Sequence, residues 1–118
     1  MPAVLTIAEF QEMQRSVEEI AVDPSIESYI VDLVRATRDD PRAEVGASPR
    51  GSLALIRIAR ARALVEGRDY VLPDDVKSFA LPALAHRITV KAEPWIRGIR
   101  GEEIVRNALE KVPVPKTR

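Results

Sequence analysis

From Ile26 to Val34 the apolar residues are spaced as one stripe of an α-helix. Ile26, Tyr29, Ile30, Leu33 and Val34 stand at i, i+3, i+4, i+7 and i+8. A strand, whose side chains alternate with period two, cannot bring these five residues to one face. Asp23-Pro24 opens the stripe with an acidic cap and a proline at N1. The helix is predicted to fade near Arg38, and Asp39-Asp40-Pro41 is its stop signal. The same grammar recurs along the chain. Thr6 and Glu9 form a capping box ahead of Ile7, Phe10, Met13 and Val17, which predicts a first helix ending about Ile20. Ser48-Pro49 opens a third helix. Its body from Leu53 to Glu66 carries Leu53, Leu55, Ile56, Ile58, Ala59, Ala63 and Leu64 on more than one face, so it is expected to be the buried centre. Gly67 stands where a glycine ends such a helix. Pro73-Asp74-Asp75 opens a fourth helix with acids suited to the dipole.

Between and after these helices the pattern is weaker. Residues 39–47 read as an exposed loop. Tyr70-Val71-Leu72 and Ile88-Thr89-Val90 are short strand candidates, expected to pair with each other. Pro82 is expected to interrupt the fourth helix, leaving a last turn from Leu84 to Arg87. Lys91 to Gly101 reads as a loop with Trp95 as a packing anchor, Glu102 to Lys111 as a final helix, and Val112 to Arg118 as a tail. The expected fold is all-α, a bundle of about five helices with one small β-ribbon. One domain is expected over residues 1–118, with a core over about 4–90 and a C-terminal extension, including the final helix, over about 91–118.

Composition narrows the chemistry. With 118 residues, 46% of them apolar, the chain can bury a core without a staple. Cysteine is absent and histidine occurs once, which excludes disulfides, a thiol nucleophile and a multi-histidine metal site; no metal ligand set is expected. The longest uncharged stretch, Ser78 to His86, is far shorter than the ~20 residues a membrane helix needs. Met1-Pro2-Ala3 has no basic n-region of a secretory signal, so the cytoplasm is the expected compartment. The 18 cations balance 18 anions, which argues against generic phosphate-backbone binding. There is no P-loop, no G-x-G-x-x-G, no G-x-S-x-G and no H-E-x-x-H. Asp39-Asp40 and Asp74-Asp75 sit at helix edges, where capping and turn formation explain them. His86 has no base or orienting group in view, and a structural role is expected.

One constellation resists that kind of explanation. In Gly46-Ala47-Ser48-Pro49-Arg50-Gly51 a cation occupies the second position of a helix. The helix N-terminus carries about half a positive charge, so a cation there is mildly unfavourable. One reading is an anion site built from backbone N–H groups, the dipole and the guanidinium fork. The other is an ion pair between Arg50 and Glu44 or Asp40. Arg35 and Arg38 complement the end of the second helix, whereas Arg57, seven residues past Arg50, falls on nearly the same face as Arg50.

The stretch Gly46 to Leu55, with Tyr29 to Arg38 before it, Gly67 to Val71 and Pro73 to Val76 after it, and Leu84 to Ile88 beyond, resembles the C-terminal lid of MoxR-type AAA+ ATPases over roughly residues 4–115. Leu72 departs from the pattern, since the family often has Thr or another capping residue before Pro73. The resemblance implies that Arg50 is the sensor 2 arginine, reaching the γ-phosphate of ATP, with Ser48, Pro49 and Gly51 beside it at the nucleotide. It implies that ATP and magnesium are held mainly by a preceding α/β ATPase domain. The chain then corresponds to the lid portion of a longer protein, with Met1 an added start, and should not hydrolyse ATP by itself. Further implied partners are neighbouring subunits of a ring and proteins carrying von Willebrand factor A domains. The whole would act as a chaperone-like motor. The competing reading is a self-standing helical binding module, a nucleic-acid reader or protein adaptor using the Arg-rich third helix. Neutral charge and the expected burial of that helix disfavour it.

Overall fold

The computed structural model describes residues 5–116. Their elements are α1 (Ile7–Glu18), α2 (Pro24–Asp39), β1 (Ala43–Val45), α3 (Pro49–Val65), α4 (Pro73–Leu84), β2 (Thr89–Val90), α5 (Ala92–Ile96) and α6 (Gly101–Lys111), with a 3₁₀ turn over Ala85–Arg87. This is the expected small helical bundle with a short antiparallel ribbon. The helix starts follow the cap residues. The Thr6 hydroxyl accepts the Glu9 N–H at 3.1 Å while the Glu9 carboxylate accepts the Thr6 N–H at 3.3 Å. Asp23 accepts the Ser25 N–H at 2.9 Å. Gly67, at φ +77°, closes α3: its N–H reaches the Leu64 carbonyl at 3.0 Å and the Arg68 N–H reaches Ala63 at 2.9 Å.

The α2 stripe is buried throughout. It packs against α3 and α6, and α3 packs along α4. Leu55, Ala59 and Ala63 of α3 meet a core that includes Val76, Ala80 and Leu84 of α4 and Ile104, Val105 and Ala108 of α6. The alanines let the helix axes approach. The large side chains Ile26, Ile30, Leu33, Leu55, Leu84 and Ile104 are fully buried, each worth about 2 kcal/mol of transfer free energy.

Several expectations need correcting. Thr89–Val90 pairs with Ala43–Val45, through Ala43 opposite Val90 and Val45 opposite Thr89 around a bulge, not with Tyr70–Leu72. The latter segment is tied to Ala21, whose carbonyl accepts the Val71 N–H at 2.9 Å. Strands this short carry too little pattern to specify a partner, so the helices that deliver them decide. Residues 39–47 are not simply exposed: Asp40, Ala43, Gly46 and Ala47 are buried. Pro82 lies inside α4, which runs on to Leu84, so the proline forgoes the hydrogen bond to the Ser78 carbonyl without ending the helix. The segment after Lys91 contains the short α5, and Trp95 is half exposed instead of anchoring the core. The α1 stripe is helical and meets α3, but it is only partly covered, with Ile7 79% exposed and no residue of α1 buried. In α3 the buried residues, Gly51, Leu55, Ala59 and Ala63, follow one stripe, and Leu53 is exposed.

Two buried carboxylates fasten the connections. Asp75 takes two hydrogen bonds from Arg68, at 2.7 and 2.8 Å, and one from the Leu72 N–H at 2.7 Å; Arg62 stands 3.6 Å away. Leu72 has no side-chain acceptor for the first N–H groups of α4, and Asp75 makes only the reciprocal half of a capping box by accepting the Leu72 N–H. Burial pushes the Asp75 carboxyl up, but the hydrogen bonds from Arg68 and Leu72 and the charges of Arg68 and Arg62 together hold it below the ordinary range. Asp40 is bound by Arg42 at 2.8 and 3.0 Å and by Asn107 at 3.4 Å, and the Arg42 hydrogen bond holds its pKa down against burial.

Candidate functional site

The chain climbs out of α2, crosses β1 and enters α3 through Gly46-Ala47-Ser48-Pro49. Gly46 presses on the end of α2: a Cβ there would collide with the Arg38 backbone and Cγ. Ala47 is fully buried, and its N–H donates to the Thr37 hydroxyl at 3.1 Å. The Ser48 hydroxyl accepts the Arg50 N–H at 3.2 Å, and the Ser48 carbonyl accepts the Gly51 N–H at 2.8 Å. Gly51 is buried at the face of α4, where a Cβ would lie 3.1 Å from Leu84 Cδ2 and 3.5 Å from Arg87 Cδ.

The first turn of α3 holds no acid. The Arg50 side chain is exposed, and among the described residues no carboxylate lies within 4.0 Å of it. Asp40, one of its two candidate partners, is committed to Arg42, and Glu44 does not pair with it. The ion-pair alternative is therefore not what the fold adopts. The backbone half of the anion-site reading also changes. Pro49 has no N–H, and the N–H groups of Arg50 and Gly51 are used inside the turn. What is exposed at this turn is the Arg50 residue, on a backbone held by the turn's own hydrogen bonds. Ser48, Pro49 and Gly51 shape that backbone.

The remaining candidates separate from this point. Arg57 is exposed on the outer face of α3, about 10 Å along the axis from Arg50 at 1.5 Å per residue. Arg35 and Arg38 are exposed at the end of α2. His86 is exposed on the 3₁₀ turn, and Asp39 and Asp74 are exposed at their helix edges. Among the described residues no group of three or more His, Cys, Asp or Glu could hold a metal ion. Sequence reasoning gave no role to Thr37 or Arg87. The first is a polar residue on an otherwise apolar stripe, the one signal that could have singled it out. The second lies beside Gly51 only because α4 and α3 meet there.

The AAA lid domain family matches residues 35–108. The uncharacterized protein YeaC of Bacillus subtilis is 43% identical over 115 residues, covering 98% of this chain and 36% of that protein. Protein MoxR of Methylorubrum extorquens is 35% identical over 81% of this chain and 32% of its own length. Chaperone MoxR1 of Mycobacterium tuberculosis is 33% identical over 96% of this chain and 32% of its own length. The crystal structure of a candidate ATPase from Cytophaga hutchinsonii superposes with a TM-score of 0.88 at 34% identity, over 92% of this chain and 36% of that one. The chain thus spans about a third of the length of the curated relatives it matches. With its helical bundle, its ribbon and the Gly-Ala-Ser-Pro-Arg-Gly turn in place, it belongs to the AAA lid domain family, as the lid of a MoxR-type AAA+ ATPase.

Proposed function

We propose that Arg50 is the sensor 2 arginine of this lid, and that the lid couples the nucleotide state of an adjoining ATPase domain to movement. The observation that carries the reading is an exposed guanidinium at the tip of α3 with no acid among the described residues within 4.0 Å of it. A cation in that place opposes the helix dipole, by about 0.3–1 kcal/mol, unless an external anion engages it. A planar fork suits two oxygens of a terminal phosphoryl group, whose charge spreads in a loose transition state. Loss of that group after hydrolysis removes the contact and frees the lid to rotate. The residues present fit this single contact. The nucleotide's remaining phosphates and magnesium belong to the adjoining α/β domain, which supplies the phosphate loop.

In the assembled protein the lid would lie between its own ATPase domain and a neighbouring subunit of a ring, and its motion would serve chaperone-like remodelling of client proteins. Proteins carrying von Willebrand factor A domains are the proposed partners. The cytoplasm is the proposed compartment, and no helix among the described residues is long and apolar enough to cross a membrane. Family membership and balanced charge, rather than burial of α3, favour this reading over a self-standing binding module.

The test is Arg50→Ala in the ATPase that carries this lid. Turnover at saturating ATP is expected to fall by about tenfold or more, with the thermal midpoint unchanged. Arg50→Lys should recover little, because a point charge does not replace the fork. Unchanged turnover in Arg50→Ala overturns the assignment.

A further inference from the structure

We infer that Thr37 is the positioning residue for Arg50: its buried hydroxyl joins the end of α2 to the start of α3, so that the guanidinium is carried by both helices as one body. The inference rests on the sensor reading above and adds to it the means by which the arginine is held.

Thr37 is fully buried on the α2 stripe. Its O–H donates to the Val34 carbonyl at 2.6 Å, an ordinary bond for a threonine within a helix. Its oxygen also accepts the Ala47 N–H at 3.1 Å, ten residues further along the chain. That second bond is the informative one. Ala47 directly precedes Ser48, whose hydroxyl takes the Arg50 N–H. A short relay therefore runs from the α2 backbone through Thr37, Ala47 and Ser48 to the backbone of Arg50. Two close approaches brace it. Gly46 lies against the Arg38 backbone where no Cβ fits, and Gly51 seats the first turn of α3 on Leu84. The Arg50 backbone is thus referenced to α2 and α4, while its side chain is left to an external ligand. A loose version of this turn would let the guanidinium wander, and an error of about 1 Å at a charge-stabilising group costs ~100-fold in rate.

Thr37→Val keeps the branched shape and removes the hydroxyl, leaving the Ala47 N–H buried without an acceptor. In the ATPase that carries this lid, it is expected to lower kcat by about tenfold. Thr37→Ser should restore it. The Thr37→Val/Arg50→Ala double variant should be no slower than Arg50→Ala alone, because both remove one contact. In the 118-residue chain, Thr37→Val should speed amide exchange at Ala47 while the amides of Leu55 and Ile104 keep their protection. Unchanged kcat in Thr37→Val, a loss that adds in full to that of Arg50→Ala, or an Ala47 amide that exchanges as in the parent chain would each overturn the positioning role and leave the sensor reading standing. No loss in Arg50→Ala sinks the sensor reading itself. If Thr37→Val does not fold, Thr37→Ala, which leaves room for a water, carries the same comparison.

Discussion

Two helices in this lid begin alike and end up electrostatically opposite. α3 and α4 both start with proline after an extended residue. At α4 the first turn holds Asp75, buried, gripped by Arg68 and approached by Arg62. Cations and dipole are answered inside the fold. At α3 the first turn holds Arg50, exposed and unanswered, above a backbone tied down by Thr37, Gly46 and Gly51. Arginine serves both places. Where an acid is buried next to it, the arginine is structure; at α3, with no acid in reach among the described residues, it stays in solvent.

The contrast can be broken at either end. Asp75→Asn should cause the largest change, a loss of about 2–3 kcal/mol of unfolding free energy, since it takes the carboxylate from Arg68 and Arg62, both still in reach of water, and weakens the hold on the Leu72 N–H. Chemical denaturation of the chain measures it. Acid titration sharpens the same point with a smaller effect. The carboxyls of Asp75 and Asp40 are both held below their unfolded values. Their stabilisation is therefore fully present above ~pH 5 and is lost as pH falls below ~4 through the lowered folded values. A flat stability between pH 6 and pH 3 would show that these pairs contribute nothing, and Asp75→Asn should flatten part of the slope. The smallest change is expected at the open end. Arg50→Glu places an acid where the α3 dipole favours one, and should stabilise the isolated chain by about 0.5 kcal/mol. A clear loss of stability would show that Arg50 has an internal partner after all.

Much of the framework was legible because capping and prolines act locally. Thr6, Asp23, Ser48 and Gly67 each do what their position predicts, within a residue or two. The α2 stripe is legible for the same reason. What failed depends on partners distant in sequence. The Thr89–Val90 strand found Ala43–Val45, and the loop before Ser48 proved to be tucked against α2 by Gly46. The apolar face of α1 has the right period but is left mostly exposed among the described residues, and periodicity does not reveal what lies opposite. At the site, the oddity of a cation in a first turn could be read directly. The role of Thr37 could not, since it depends on a bond to Ala47 that only the tertiary fold creates.

The junction of α5 and α6 has a practical consequence. The guanidinium of Arg100 lies 3.6 Å from the ring centroid of Trp95, and the same side chain donates to the Trp95 carbonyl at 2.9 Å. Trp95 is the sole tryptophan of the chain and is half open to water. Its emission therefore comes from one known spot, and any event that lifts the arginine off the indole has an optical signature there without an added dye.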